Sequence, residues 1–139
     1  MSLKVVILST ETLHHTYFIN RLAENFDVVG VFYEKEPFQP SYPVGPLFEA
    51  EEEAFEQEHF FNGKQAILHE HIGPVHFTNR IHNPATVEQI KTLNVDIGVV
   101  FGCGKIKPIV FQTSQHGFIN VHRGNATKYR GLDSDLWAI

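Results

Sequence analysis

Leu3–Leu8 has the sequence Leu-Lys-Val-Val-Ile-Leu, a run of apolar and β-branched residues with one lysine. Such an unbroken run is typical of a parallel strand that is buried on both faces. The segments 27–33 and 96–101 have the same character, and the segments 75–78 and 117–122 are shorter strand candidates. We therefore predict five strands in a mostly parallel sheet, with Leu3–Leu8 among them.

Helical patterns lie between these strands. Apolar residues recur at helical spacing in residues 17–26, and again in residues 47–61, where they lie opposite six glutamates. Asn83 and Pro84 predict a helix start, with the asparagine as cap and the proline at the first helical position. Residues 106–112 predict a short helix. This alternation predicts an α/β fold, a Rossmann-like and mostly parallel sheet covered by helices on both faces.

The composition indicates one folded domain, residues 1–139. Apolar residues make up 42% and charged residues 19% of the chain, as in globular proteins. Cys103 is the single cysteine, which excludes a disulfide framework and fits a reducing compartment. No apolar run approaches the ~18 residues of a membrane span, and Met1 runs almost directly into the first strand pattern. We expect a cytoplasmic protein without a signal peptide and without a membrane partner.

Charge is distributed unevenly along the chain. The formal net charge is −5, yet residues 101–139 carry five Lys or Arg residues against two Asp residues. This local excess of positive charge favours a small anionic ligand near the end of the chain. The basic residues do not form a clustered stripe, so we do not expect nucleic acid as a partner.

Three loops are predicted to form one rim, because ligands of such sheets bind at the carboxyl ends of the strands. They are Ser9–Thr12, Gly102–Ile106 and Asn120–Arg130; the first contains no glycine, so the dinucleotide-binding fingerprint is absent. Asn120 and His122 are two residues apart on a strand and should leave the same face. An amide beside an imidazole can stabilise an oxyanion and move a proton. The alternative is a hydrogen-bonded polar pair within the core.

Three segments together resemble the folate-dependent formyltransferases. They are Val99–Ile106 (Val-Val-Phe-Gly-Cys-Gly-Lys-Ile), Gly117–His122 (Gly-Phe-Ile-Asn-Val-His) and Tyr129–Ile139 (Tyr-Arg-Gly-Leu-Asp-Ser-Asp-Leu-Trp-Ala-Ile). The family includes methionyl-tRNA, glycinamide ribonucleotide and nucleotide-sugar N-formyltransferases. The resemblance is close over residues 95–139 and extends weakly, through the order of strands and helices, to the start of the chain.

The resemblance implies transfer of a formyl group from 10-formyltetrahydrofolate to a small primary amine. Asn120 and His122 match the catalytic Asn-x-His motif, and would hold the developing oxyanion while His122 takes part in proton transfer. The residues that correspond to the folate-binding turn are Phe101, Gly102, Cys103, Gly104, Lys105 and Ile106. The residues expected to contact the amine substrate are Thr10, Arg123, Gly124, Tyr129, Arg130 and Gly131. No metal is implied.

The last motif departs from the family pattern. Residues 132–135 lie where several members carry a proline, and this departure favours an amino sugar on a nucleotide as the acceptor. The family's third catalytic residue is an aspartate further along the chain, and neither Asp133 nor Asp135 matches it. Leu136–Ile139 is an apolar helical turn without a stop signal, so we expect a domain that lacks its C-terminal strands. An exposed sheet edge would then favour self-association.

Two other functions remain open from the sequence. A formyltetrahydrofolate hydrolase would use the same residues with water as the acceptor, although such enzymes carry an extra domain before the catalytic one. A non-catalytic remnant that binds folate or substrate would fit the absence of the third catalytic residue.

Several residues have alternative roles. Cys103 is either a nucleophile or a packing residue, and packing is favoured. The pair His14 and His15 either contacts an anionic part of the substrate or lies at a solvated helix start. Three histidines could bind a metal, but their spacing favours surface positions: His69, His71 and His76.

Overall fold

Strands and helices alternate along the chain, as predicted. The computed structural model describes residues 2–36, 41 and 49–128. In this part the elements are β1 Lys4–Ser9, α1 Leu13–Ala23, β2 Asp27–Glu34, α2 Glu49–Phe61, β3 Val75–Thr78, α3 Pro84–Thr92, β4 Ile97–Phe101, α4 Pro108–Phe111 and β5 Phe118–Val121. The predicted helical turn Leu136–Ile139 lies outside the described residues.

The sheet has five strands in the order β3-β2-β1-β4-β5, and every neighbouring pair is parallel. β1 occupies the centre, where Val5, Val6, Ile7 and Leu8 are at most 2% exposed. An unbroken apolar run is required at this position, because both faces of a central strand are covered. The predicted fold class, a Rossmann-like parallel sheet flanked by helices, is confirmed.

Two core clusters lie on opposite faces of the sheet, because successive strand residues point to opposite sides. The first core cluster joins one face of the sheet to α3 and α4, and its members are Val6, Leu8, Phe32, Ile81, Val87, Ile90, Val95, Val100 and Val110. The second core cluster joins the other face to α1, and its members are Val5, Ile7, Ile19, Ala23, Val28, Val31, Tyr33 and Val99. A side chain at the rim can therefore be assigned to one face of the sheet from the core cluster against which that face packs.

The two longer helices against the sheet start at capping residues. Thr12 caps α1 by accepting a hydrogen bond from the His15 backbone N at 3.2 Å. Asn83 caps α3 by accepting from the Ala85 backbone N at 3.1 Å, and Pro84 occupies the first turn, as predicted. The α1 helix begins at Leu13, four residues before the apolar spacing had indicated, because the cap determines its start.

The helix predicted over residues 47–61 is present, but not all of its apolar residues are buried. The helix α2 runs from Glu49 to Phe61, but Phe55 is 56% exposed and stacks on His59 of the same helix. The aromatic contact with α1 comes from the end of α2, where Phe60 stacks on Tyr17 with ring centres 4.4 Å apart. Glu51, Glu52, Glu53 and Glu58 of α2 are exposed, as expected of a solvated helix face.

The shorter elements near the C-terminal end differ more from the prediction. The helix predicted over residues 106–112 is one turn, α4. The predicted strand over residues 117–122 is present as β5, at the edge of the sheet in the described part of the chain, and Ile119 is 55% exposed there. Gly98 of β4 permits its close packing on β5, since a Cβ there would lie 1.9 Å from Cε1 of Phe118.

Candidate functional site

The carboxyl ends of β1, β4 and β5 lie side by side, which brings the three predicted loops to one rim. Ser9 is paired with Phe101 across β1 and β4, and Phe101 is paired with Val121 across β4 and β5. The hydroxyl of Ser9 also donates a hydrogen bond to the Phe101 carbonyl at 2.6 Å. Thr10 directly follows β1, and His122 directly follows β5. The parallel register of the three strands therefore brings these two residues to the same edge of the sheet.

Asn120 lies on the same face of the sheet as the turn after β4. Cys103 and Ile106 of that turn pack against the first core cluster, and so does Phe118 of β5. Asn120 is two residues beyond Phe118 and shares its face, whereas Val121 packs against the second core cluster. The predicted catalytic amide and the predicted folate turn are therefore on one side of the sheet.

His122 and Asn120 have polar atoms without partners in the described structure. His122 is half-buried, and its Nδ1 is buried with no hydrogen bond from or to a described residue. Asn120 is exposed on β5. A buried unpaired nitrogen costs about 1–3 kcal/mol, so such groups usually meet a ligand, a water or a further residue. The alternative of a satisfied polar pair within the core is wrong.

The turn after β4 depends on both of its glycines. Gly102 has φ +83°, and a Cβ there would lie 2.3 Å from Cε1 of His15. Gly104 donates its N–H to Oε2 of Glu34 at 2.6 Å. Neither residue projects a side chain, and Gly102 is exposed, so the backbone is open to a flat ring system. In this respect the turn fits a pteridine.

His15 is buried beneath this turn. It is 4% exposed, and its Nδ1 donates a hydrogen bond to the Thr10 carbonyl at 2.9 Å, while its ring meets Phe101 edge-on at 4.3 Å. Burial, and then the neighbouring His14, lower the pKa of His15 from 6.5 to about 4. Because His15 is buried, the interpretation as a solvated residue at a helix start is wrong for it.

The rim is acidic on the side of α2, which the sequence did not predict. His14 Nδ1 lies 2.9 Å from Oε1 of Glu56, and Arg123 Nη1 lies 3.7 Å from Oε1 of Glu52. An open cleft of about 310 Å³ lies between the start of α1 and α2, and its lining residues are Glu11, Thr12, Leu13, His14, Glu52, Glu53 and Glu56. The positive charge expected from the chain's last residues is thus partly offset in space by α2.

Glu34 is a site residue that the sequence did not reveal. It ends β2, is 5% exposed, and accepts hydrogen bonds from the backbone N of Gly104 at 2.6 Å and of Ile81 at 3.3 Å. The one available signal was a glutamate directly after an apolar strand pattern. Glu34 also borders a second open cleft, of about 400 Å³, whose other lining residues are Thr10, Glu11, Thr12, Tyr33, Lys35 and Phe77.

Cys103 is a packing residue, as favoured from the sequence. Burial, and then the charge of Glu34, raise the pKa of Cys103 to about 12, which makes the thiolate scarce. The histidines proposed as metal ligands do not converge: His71 Nε2 bonds the Ala23 carbonyl at 3.1 Å. Residues 2–36, 41 and 49–128 contain no group of three or more potential ligands arranged to hold a metal ion.

The loop predicted to contact the substrate is described as far as Lys128. Arg123 and Gly124 are exposed, and Gly124 adopts φ +72°. The predicted contacts Tyr129, Arg130 and Gly131 lie outside the described residues, as do Asp133 and Asp135. Within the described part of the chain, each helix is too short or too polar to cross a membrane.

The fold and the rim define an α/β domain with an amide, an imidazole and a glycine turn at the carboxyl edge of a parallel sheet. No family model matches the chain. It is nevertheless similar to curated methionyl-tRNA formyltransferases from three bacteria. The one from Geobacter metallireducens is 34% identical over 76 residues, which is 54% of this chain and 24% of that protein. For Lachnospira eligens the identity is 36% over 61 residues, 43% of this chain and 19% of the relative.

The third relative, from Caldanaerobacter subterraneus, is 41% identical over 59 residues, 42% of this chain and 19% of its own length. The matches thus span about a quarter or less of the curated relatives. Among solved structures, glycinamide ribonucleotide transformylase 1 from Geobacillus kaustophilus superimposes with a TM-score of 0.56 at 14% identity, covering 99% of this chain and 67% of that one. This likeness shows the shared fold. The sequence matches confirm the predicted resemblance to formyltransferases.

Proposed function

We propose that this domain transfers a formyl group from 10-formyltetrahydrofolate to a primary amine, with Asn120 and His122 as its catalytic residues. The observation that carries the proposal is the position of Asn120. It shares a sheet face with the packed side chains of Cys103 and Ile106, and β4 and β5 end side by side. A formyl donor seated on that turn would meet the amide of Asn120.

Each catalytic residue has a role that its surroundings allow. Asn120 is exposed, so its amide can donate a hydrogen bond to the formyl oxygen as negative charge develops there. His122 receives a proton from the amine as the new carbon–nitrogen bond forms. The bond from the formyl carbon to the donor nitrogen then breaks, and the proton passes to that nitrogen. The folate supplies the formyl group, and these two residues supply hydrogen bonding and proton transfer.

The binding residues remain those predicted from the motifs. The folate would lie against the turn formed by Phe101, Gly102, Cys103, Gly104, Lys105 and Ile106. The amine substrate would meet Thr10, Arg123 and Gly124 at the rim, and Tyr129, Arg130 and Gly131 further along the loop.

Two observations bear on the identity of the amine acceptor. An amino sugar on a nucleotide is favoured by the departure of residues 132–135 from the family pattern. The curated relatives are named methionyl-tRNA formyltransferases, which makes methionyl-tRNA the second candidate, against the absence of a clustered basic stripe for nucleic acid in this sequence. We propose that the reaction takes place in the cytoplasm, since a single cysteine suits a reducing compartment.

A labelled-formyl assay tests this proposal. The chain is incubated with 10-formyltetrahydrofolate carrying a labelled formyl group and with methionyl-tRNA, glycinamide ribonucleotide or nucleotide-linked amino sugars in turn. We expect label in one of these amines, and its loss in Asn120→Ala. Release of labelled formate without an amine would establish a hydrolase instead. Folate binding with neither product would establish a binding module and overturn the transferase proposal.

A further inference from the structure

The carboxylate of Glu34 joins three parts of the molecule. It stands at the end of β2, accepts from the backbone N of Gly104 in the turn after β4, and accepts from the backbone N of Ile81 in the segment after β3. Both hydrogen bonds are made to main-chain groups. Because Glu34 is only 5% exposed, water has little access to replace them.

Of the two backbone groups that Glu34 joins, the one at Ile81 is held by packing, whereas the one at Gly104 lies in a loop. Ile81 is 2% exposed and belongs to the first core cluster, so its backbone is held by packing. Gly104 precedes α4, and residues 104–107 belong to no helix or strand. Hydrogen bonds to an ionised carboxylate are roughly twice as strong as neutral ones. The two hydrogen bonds of Glu34 therefore hold the turn in a defined position relative to the core.

Glycine at position 104 is part of the same arrangement. A Cβ at Gly104 would lie 3.2 Å from Oε2 of Glu34, closer than ordinary van der Waals contact. A larger residue would push the carboxylate away from the N–H that it accepts from. The hydrogen bond from Gly104 to Glu34 therefore depends both on the buried carboxylate and on the absence of a side chain at position 104.

We propose that Glu34 is the positioning residue of the turn Gly102–Ile106, and that it sets the backbone shape on which the folate is bound. The first part stands on the hydrogen bonds alone. The second part rests on the proposed function. Glu34 does not touch the reacting atoms in this scheme, and it acts through Gly104.

Three variants separate positioning from general stability. In Glu34→Gln the amide oxygen can accept from one N–H, while the NH₂ group faces the other donor. Thr78→Ala is the matched control, because it removes hydrogen bonds to the Arg80 carbonyl at 3.0 Å and the Thr86 hydroxyl at 2.8 Å, while the carboxylate of Glu34 and both of its N–H donors are kept and Ile81 remains packed in the first core cluster. If Glu34→Gln does not fold, Gly104→Ala perturbs the same contact from the turn.

Amide hydrogen exchange is the first readout. We expect the amide of Gly104 to exchange about tenfold faster in Glu34→Gln, as fits the loss of one charge-assisted hydrogen bond, and to be unchanged in Thr78→Ala. Equal exchange in the wild type and Glu34→Gln would overturn the proposal. So would an equal acceleration in Thr78→Ala, since the effect would then follow stability alone.

Affinity for 5-formyltetrahydrofolate, measured by calorimetry, is the second readout. We expect binding about tenfold weaker in Glu34→Gln and unchanged in Thr78→Ala, even where both variants lose similar thermal stability. Unchanged affinity in Glu34→Gln would refute the role in folate binding. If the wild type binds no folate, the proposed function fails, and the exchange of Gly104 alone decides whether Glu34 positions the turn.

Discussion

The ring of His15 occupies the space that a side chain at Gly102 would need. A Cβ built on Gly102 would lie 2.3 Å from Cε1 and 2.7 Å from Nε2 of His15. His15 is in the first turn of α1 and its Nδ1 is bonded to the Thr10 carbonyl, so the ring cannot turn away freely. The β1–α1 loop and the turn after β4 are therefore packed together through one buried imidazole.

Gly102→Ala should destabilise the domain. The alanine would meet His15 and would also have to adopt φ +83°. Overpacking costs about 1–3 kcal/mol and a left-handed conformation about 1–2 kcal/mol, so we expect a loss of about 2–5 kcal/mol in the free energy of unfolding. Urea unfolding monitored by circular dichroism measures it.

Gly117→Ala is the control for this substitution. Gly117 has a similar φ of +84°, but a Cβ there would have no neighbour within 4 Å. Its substitution should cost only the conformational part, about 1–2 kcal/mol. Equal losses for the two variants would show that the contact with His15 is not as close as described.

The stability of the domain should depend on the protonation of His15. Its pKa is about 4 when folded and 6.5 when free, so the unfolded chain binds more protons between these values. The free energy of unfolding therefore rises with pH across this window. The contribution of His15 is fully present above pH 6.5 and is lost as the pH falls towards 4. We expect it to total about 3 kcal/mol, since one pKa unit corresponds to about 1.4 kcal/mol.

Unfolding measured at several pH values in the wild type and in His15→Gln isolates this contribution, because the carboxylates titrate in both proteins. The slope between about pH 4 and 6.5 should be shallower in His15→Gln. Parallel curves for His15→Gln and the wild type would contradict a buried neutral ring.

Cys103 should react slowly with alkylating reagents in the folded protein. Raising its pKa from 9.0 to about 12 lowers the thiolate fraction at pH 8 about a thousandfold, and the thiolate is the reactive form. Iodoacetamide labelling followed by mass spectrometry compares the folded chain with the chain in urea. Folded and unfolded rates within tenfold of each other would indicate an accessible, reactive thiol.

The fold was predictable because its strands are marked by local sequence. β1 is central and buried on both faces, so its sequence is an apolar run that needs no context to interpret. The exposure of Ile119 was not predictable in the same way. It follows from the position of β5 at the end of the strand order, which is set by pairing with Gly98 and the rest of β4 and not by residues near Ile119.

The residues of the candidate site also differ in whether local sequence predicts them. Asn120 and His122 were predicted from a spacing of two residues on one strand. Glu34 was not, because its partners are 70 and 47 residues away along the chain. Likewise, the ring of His15 lies where a side chain at Gly102 would be placed, and the two residues are far apart along the chain. Residues that support a site through distant contacts leave little local signal.

Asn120→Ala should reduce formyl transfer with little effect on stability. Asn120 is exposed and has no described hydrogen bond, so removing its amide leaves no buried group unpaired. If the amide stabilises the oxyanion, as proposed, kcat should fall about 10²–10³-fold while KM for the folate changes little. Steady-state kinetics over a range of folate concentrations separates the two parameters.

Ile119→Thr is the matched control for this last substitution, since Ile119 is the exposed neighbour of Asn120 on the opposite face of β5. It should leave kcat within about twofold, because a surface substitution on that face disturbs neither the amide nor the turn. A similar fall in kcat for both variants would mean that β5 acts through its backbone position. A rise in KM alone for Asn120→Ala would make the amide a binding group, because an interaction made only in the transition state lowers kcat.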